Sequence, residues 1–278
     1  MKAKRIVDLT HYWGSKEMVV ARYEKGQKVW VPKKFGRDRN EWGALDKRDY
    51  RVEITDWLYS DGALTPDITI FSHAGTHLEA PGYHVINAPK HLKEKGIADY
   101  PPDKFIGEAA VIDLSSFAIK AGAKGPEPDH KHFMPSLYQA AKEPGKGTAA
   151  RAQRKIVPIS AKELSQFDHL VKPGDILLPV NKVGGSIVVL DVNWIIDRGV
   201  KMVGMEMGTL WFYGERDGMT NAHDILLSHE ILIIEGLRNL SKLTKERVFY
   251  IGMPLKLLGV GASPIWAIAI EEFDDTPL

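Results

Sequence analysis

The sequence predicts one α/β domain with a β-rich core and few helices. Three observations carry that prediction. Strand-like runs are numerous and short, helix-like runs are few, and no internal repeat or linker divides the chain. At 278 residues, 44% apolar and 26% charged, the chain is long enough to bury a core without disulfides or a structural metal, and its composition is that of a folded protein. A single domain over residues 1–278 is the expectation.

Taken in order, Ile6-Val7-Asp8-Leu9-Thr10 is a short opening strand. Residues 11–62 hold four of the seven Trp (Trp13, Trp30, Trp42, Trp57) among Tyr, Lys, Arg and Gly with little periodicity, which predicts an irregular segment. It either walls a pocket or a subunit contact, or lays ordinary core aromatics under a long loop. Residues 66–81 are strand-like, and Val111-Ile112-Asp113-Leu114 behind Gly107 is another strand. Residues 120–155, with four Gly, four Pro and clustered Lys and Arg, predict an exposed excursion with room for a helix near Leu137–Ala141. His130 and His132 lie in it, and on a polar loop without a carboxylate partner they read as solvated surface.

Beyond the excursion, Ile156–Ile159 is a strand, and Ser160-Ala-Lys-Glu163 is a capping box opening a helix to Leu170. Gly174-Asp175-Ile-Leu-Leu178 predicts a strand, Asp191–Arg198 a helix stopped by Gly199, and Val200–Met205 a strand. Asn221–Ser228 reads as a short helix, with Ile231–Ile234, Phe249–Gly252 and Ile265–Ile270 as strands. Asp113, Asp175 and Glu206 fall at strand ends or in apolar runs and read as structural.

Charge and composition exclude several functions. Lys and Arg number 37 against 36 Asp and Glu, so there is no net basic face for duplex nucleic acid. The stretch Lys90–Lys95 is short, contains Glu94 and reads as solvated surface. The absence of cysteine removes a thiolate nucleophile, a Cys-ligated zinc and a disulfide framework. The basic N-terminus lacks the apolar core of a signal peptide, and the longest membrane candidate, Leu257–Ile270, is too short to span. A soluble cytoplasmic protein acting on a small molecule, with no nucleic-acid or membrane partner, is expected. Gly-x-Ser-x-Gly, phosphate-cradling and dinucleotide motifs are all missing from the sequence.

The informative segment is Ser72-His73-Ala74-Gly75-Thr76-His77-Leu78-Glu79-Ala80-Pro81-Gly82-Tyr83-His84, which concentrates three of the ten histidines and a carboxylate. On a strand, His73, Gly75, His77 and Glu79 share one face, with Cβ atoms two apart separated by about 6.6 Å. His73 and His77 on a straight strand stand about 13 Å apart, too far for one ion. The backbone must bend between them, and Gly75 is the residue able to bend. Imidazole with carboxylate suits Zn²⁺, Mn²⁺ or Fe²⁺. The Thr76 hydroxyl, on the opposite face, can orient a ligand from behind. A strand supplies only part of a coordination sphere, and His223 with Glu235 is the second pair. Glu235 closes an apolar run where a lone carboxylate is costly; a metal, or a buried Arg or Lys, would justify it.

These residues resemble the cyclase family of metal-dependent hydrolases, which includes bacterial kynurenine formamidase, isatin hydrolase and a zinc-dependent dienelactone hydrolase. The family signature His-x-Gly-Thr-His-x-Asp-x-Pro-x-His stands here as His73-Ala-Gly75-Thr76-His77-Leu-Glu79-Ala-Pro81. The opening strand, Gly174-Asp175-Ile-Leu-Leu, Gly199–Gly204, the His223-to-Leu240 segment, Pro254-Leu255-Lys256 and Gly261-Ala-Ser263-Pro264 extend the likeness over most of the chain. Two positions depart from it. Glu79 replaces the signature Asp, and Tyr83 occupies the position of the final His, which moves to His84 by a one-residue insertion.

The resemblance implies a swivelling β/β/α-like fold and one or two Zn or Mn ions per subunit, held by His73, His77, Glu79, His223 and Glu235. It implies His84 as catalytic acid/base, Trp13, Trp57 and Tyr83 against the substrate, and a homodimer or homotetramer. The implied reaction is hydrolysis of a C–N bond in an aryl formamide or cyclic amide by activated water. The alternatives are a lactone or ester hydrolase using the same site, and a member that binds metal or ligand without catalysis.

Overall fold

The computed structural model describes residues 2–10, 19–24, 27–32, 50–56, 62, 65–70, 72–73, 75–82, 89–123, 155–206 and 210–274. Among them are fifteen strands and five short α-helices, the β-rich α/β architecture the sequence predicts. Eight strands form the main sheet. They are β1 (Lys2–Asp8), β6 (His77–Glu79), β7 (Ile106–Asp113), β9 (Ile176–Val180), β11 (Met202–Glu206), β13 (Leu232–Leu237), β14 (Arg247–Pro254) and β15 (Ala262–Asp274).

Their order is β1-β15-β14-β7-β9-β11-β13-β6, and β6 also pairs with the start of β15. That last pairing closes seven strands into a barrel, with β1 added outside β15. β7, β9, β11 and β13 run parallel, and the other contacts in the ring are antiparallel. Alternation along each strand sends Leu78, Ile176, Leu178, Met202, Leu232, Ile234, Tyr250 and Ile265 into one core inside the barrel.

The opposite parity faces outward. Ala110, Ile112, Leu177, Val203, Met205 and Ile233 pack under a second layer. That layer holds a parallel sheet, β12-β10-β8, made of β8 (Lys155–Ile159), β10 (Ser186–Asp191) and β12 (Leu210–Tyr213). It also holds α2 (Ser115–Lys120), α3 (Ala161–Leu164), α4 (Val192–Asp197) and α5 (Ala222–Ser228). α1 (Lys90–Lys93) is a single turn that buries Leu92. No helix among the described residues is long and apolar enough to cross a membrane.

Local chemistry sets the ends of the helices. Asp191 and Asn221 cap α4 and α5 by accepting from the amides of Asn193 and His223. Gly199, at φ 66°, ends the turn after α4. The Ser160/Glu163 capping box is present, but α3 stops at Leu164 instead of reaching Leu170 and continues as a 3₁₀ turn, Ser165–Phe167. There the Ser165 hydroxyl donates to the Lys162 carbonyl and the Gln166 amide to the Glu163 carbonyl, taking acceptors the helix would need.

The aromatic segment is not irregular throughout. It contains β2 (Val19–Glu24) paired with β3 (Gln27–Pro32), and β4 (Tyr50–Asp56) paired with β5 (Thr65–Ile70). Val19-Val20-Ala21-Arg22-Tyr23, Val29-Trp30-Val31 and Tyr50-Arg-Val-Glu-Ile54 are rich in β-branched and aromatic residues, a strand signal that the density of Trp obscures. β10 and β12 are two further strands absent from the sequence prediction. Of the predicted excursion, 121–123 form a turn after α2 and Lys155 opens β8. The rest, with His130, His132 and the helix near Leu137–Ala141, lies outside the described residues.

Candidate metal centre

β6 is three residues long and wedged between two strands. His77 stands opposite Glu235 of β13 on one side and Pro264 of β15 on the other, while Glu79 stands opposite Ile233 and Ala262. Residues opposite one another share a face, so His77, Glu79 and Glu235 all project from the outer wall of the barrel. Before β6, His73 lies in a turn rather than on the strand, and Gly75 at φ 59° makes the required bend. The His73 and His77 rings meet edge to face with centroids 5.3 Å apart.

A second bend locks to the first. Gly236, at φ 67°, forms a bulge beside Glu235, and a Cβ there would lie 2.2 Å from the Gly75 carbonyl oxygen. The buried Thr76 hydroxyl donates to the Gly236 carbonyl at 2.6 Å, so the residue expected to act from behind the ligands ties the two ligand-bearing strands together. His223 arrives on the first turn of α5, oriented by the Asn221 cap, and the Trp211 ring of β12 packs against it at 5.7 Å.

The resulting cluster is compact. Glu235 Oε1 lies 2.8 Å from His223 Nε2, and Glu235 Oε2 lies 3.6 Å from His77 Nε2. Glu79 Oε1 lies 3.3 Å from His77 Nε2 and 3.5 Å from His73 Nε2, and its Oε2 lies 3.8 Å from His223 Nε2. Ligand atoms of His77, Glu79 and Glu235 all fall within 4.8 Å of one another. His77 and Glu79 are buried, and the His73 side chain, 31% exposed, marks the open side. The Nδ1 of His77 faces the Gly75 carbonyl at 3.0 Å, which leaves Nε2 turned to the carboxylates.

Electrostatics follow from the crowding. Burial alone would lower the His223 imidazole, but the hydrogen bond to Glu235 and the charges of Glu235 and Glu79 outweigh it and raise it to about 9. Burial likewise works against charge on His77, and the Glu79 hydrogen bond with the Glu235 and Glu79 charges brings a net rise. Two buried carboxylates thus call for positive charge between them. Protonated imidazole meets that demand, and so would a divalent cation bound by neutral imidazoles. A nitrogen and oxygen donor set without sulfur fits Zn²⁺ or Mn²⁺.

All five residues expected to hold metal, His73, His77, Glu79, His223 and Glu235, therefore meet in one cluster although they come from two distant stretches of the chain. The side chains that Glu235 meets there are imidazoles, not the Arg or Lys left open by its apolar setting. His84, Tyr83, Trp13 and Trp57 lie outside the described residues. Trp211 was not anticipated. Its only sequence signal is an aromatic run, Leu210-Trp-Phe-Tyr213, upstream of His223.

Asp113 and Asp175 are structural as expected. Asp113 pairs with Lys182 and Asp175 with Arg247, while Glu206 is buried in β11. Lys95 corrects the reading of 90–95 as plain solvated surface. It pairs with Glu230, held at φ 56° beyond α5, and its ammonium lies 4.4 Å from the Tyr100 ring centroid.

Comparison with known proteins points one way. The model of the Cyclase family matches residues 7–210. A kynurenine formamidase from Salinibacter ruber is 27% identical over 203 residues, which is 72% of this chain and 77% of that one. Isatin hydrolase A from Labrenzia aggregata, solved bound to benzyl benzoate, superposes with a TM-score of 0.60 at 19% identity, covering 95% of this chain and 93% of the other. A predicted metal-dependent hydrolase from Bacillus stearothermophilus gives 0.51 at 17% identity, covering 95% and 97%.

Proposed function

The chain belongs to the Cyclase family, and from that premise we propose that it is a metal-dependent hydrolase cleaving the C–N bond of an aryl formamide or cyclic amide. The observation that carries this reading is the convergence of three imidazoles and two carboxylates on the outer barrel wall. In it, His73, His77, Glu79, His223 and Glu235 hold one or two Zn or Mn ions. A divalent ion so held supplies Lewis acidity, lowering the pKa of a water to about 7 and polarising a carbonyl.

The chain's own residues do the rest. The Gly75 carbonyl fixes the ring of His77, and Thr76 holds the two ligand strands in register through Gly236. His84 takes the proton of the attacking water and gives it to the departing nitrogen. Trp13, Trp57 and Tyr83 stack on the flat part of the substrate. The enzyme works on a small molecule in the cytoplasm.

The test is metal analysis of purified protein followed by assays of wild type and His84→Ala on an aryl formamide, a cyclic amide and an aryl lactone. We expect stoichiometric zinc or manganese, turnover of an amide, and a loss of about 10²–10⁴-fold in the variant, the usual range for one acid/base group. Faster lactone turnover would move the assignment to a lactonase. Bound metal with no hydrolysis of any substrate would leave a binding protein and refute the enzymatic reading.

A further inference from the structure

One side of the barrel's outer wall is apolar and open. β15 reads Ile265-Trp-Ala-Ile-Ala-Ile270, six apolar residues in succession. A strand with one wet face alternates apolar with polar, whereas an unbroken run is the pattern of a strand covered on both faces. The inward residues Ile265, Ala267 and Ala269 are buried in the barrel, yet outward Trp266 is 71% exposed. Met253, directly opposite Trp266 on β14, is exposed, as is Ile6 of β1. Leu255, Leu257 and Leu258, between β14 and β15, extend the patch, and Leu258 is 84% exposed.

We propose that this face binds the same face of a second copy of the chain in a two-fold dimer. The area supports that occupant. Trp266, Met253 and the three leucines together leave roughly 500 Å² open, on a scale of about 150–250 Å² for one aromatic side chain. A standard contact takes about 800 Å² per partner, of which about 60% is non-polar, so the patch alone matches the apolar requirement of one subunit. It also exceeds the few hundred Å² of apolar surface that monomers ordinarily tolerate.

The edge of the patch suits self-association. Arg5 is paired with Glu271 at 2.8 Å and Lys245 with Glu272 at 3.4 Å, so its cations are neutralised within each copy and two like faces meet without repulsion. Pro264, two residues from Trp266 on the same side of β15, stands opposite His77, so the contact borders the metal centre.

Sedimentation equilibrium on the full chain, with Trp266→Glu and Leu258→Glu as variants, tests the proposal. Wild type is expected at twice its 31.1 kDa chain mass. Each variant is expected to keep its circular dichroism and to dissociate about thirty-fold more readily or worse, the mark of a hot-spot anchor. A wild type that stays monomeric at every concentration overturns the proposal, as do variants that associate as tightly as wild type. A monomer whose Trp266, identified against Trp266→Phe, resists quenching by iodide would assign the face to another part of this chain and also overturn it.

Discussion

Replacing Gly236 by alanine puts a methyl group where there is no room for one. The position sits at φ 67°, and the new Cβ would lie 2.2 Å from the carbonyl oxygen and 2.9 Å from the carbonyl carbon of Gly75. The left-handed backbone costs an L residue about 1–2 kcal/mol. Forcing the two backbones apart adds about 1–3 kcal/mol, because neither side of the contact is a flexible side chain. Weakening the Thr76–Gly236 hydrogen bond adds about 1 kcal/mol.

The sum, about 3–5 kcal/mol, is a large part of the roughly 5–15 kcal/mol expected of a whole domain. The control is Gly174→Ala. Its φ is 84°, but nothing lies within 4 Å of the place its new methyl group would take, so it bears the backbone cost alone. Urea unfolding of chelated protein should show Gly236→Ala at least about 2 kcal/mol less stable than Gly174→Ala. Chelator competition should show zinc bound at least about ten-fold more weakly, since Glu235 is the adjacent residue. Equal losses in the two variants would refute the claim that the Gly75 and Gly236 bends brace each other.

Three further outcomes follow. His223 is raised to about 9 in the folded protein, above its ordinary value, so the stabilisation it brings is complete below about pH 6.5 and is lost as pH climbs through 9. Urea titrations of chelated protein should therefore lose up to about 3 kcal/mol between about pH 6 and pH 9.5, and rising stability would contradict the assignment. Arg247→Ala strands the buried Asp175 carboxylate, which now receives two guanidinium hydrogen bonds; with Arg247 itself partly exposed, a loss of about 2–3 kcal/mol is expected in unfolding titrations. Trp211→Ala should loosen zinc about ten-fold or more by freeing the His223 ring, whereas Trp211→Phe should stay close to wild type in the same chelator competition.

The metal cluster is legible in the sequence because its chemistry is dense. Three histidines and Glu79 within a dozen residues, with Gly75 between the first two, demand a bend at that glycine, and the bend is there. The His223–Glu235 pair is legible for a different reason, since a carboxylate closing Ile231-Leu-Ile-Ile234 needs a partner. What stays hidden depends on contacts distant in sequence. That Trp211 backs His223 follows from two separate sheets meeting, and that Glu230 captures Lys95 follows from a left-handed turn 135 residues away. The hairpins β2–β3 and β4–β5 escape the sequence reading because aromatic composition outweighs a two-residue alternation that is present. α3 is expected too long because capping signals fix where a helix begins, while Ser165 and Gln166 decide where it stops.

β15 touches β6, β14 and β1, so a single stretch near the end of the sequence fastens the barrel shut. His77 and Glu79 on β6 lose one neighbour on their flank whenever that stretch is undocked. During synthesis the cation-binding wall has to wait for nearly two hundred intervening residues before it gains its second border, a long-range closure that is intrinsically slow. Newly made chains should therefore compete for metal late, after the barrel has sealed, and any damage that frays this last strand should release the ion before it melts the remaining sheet.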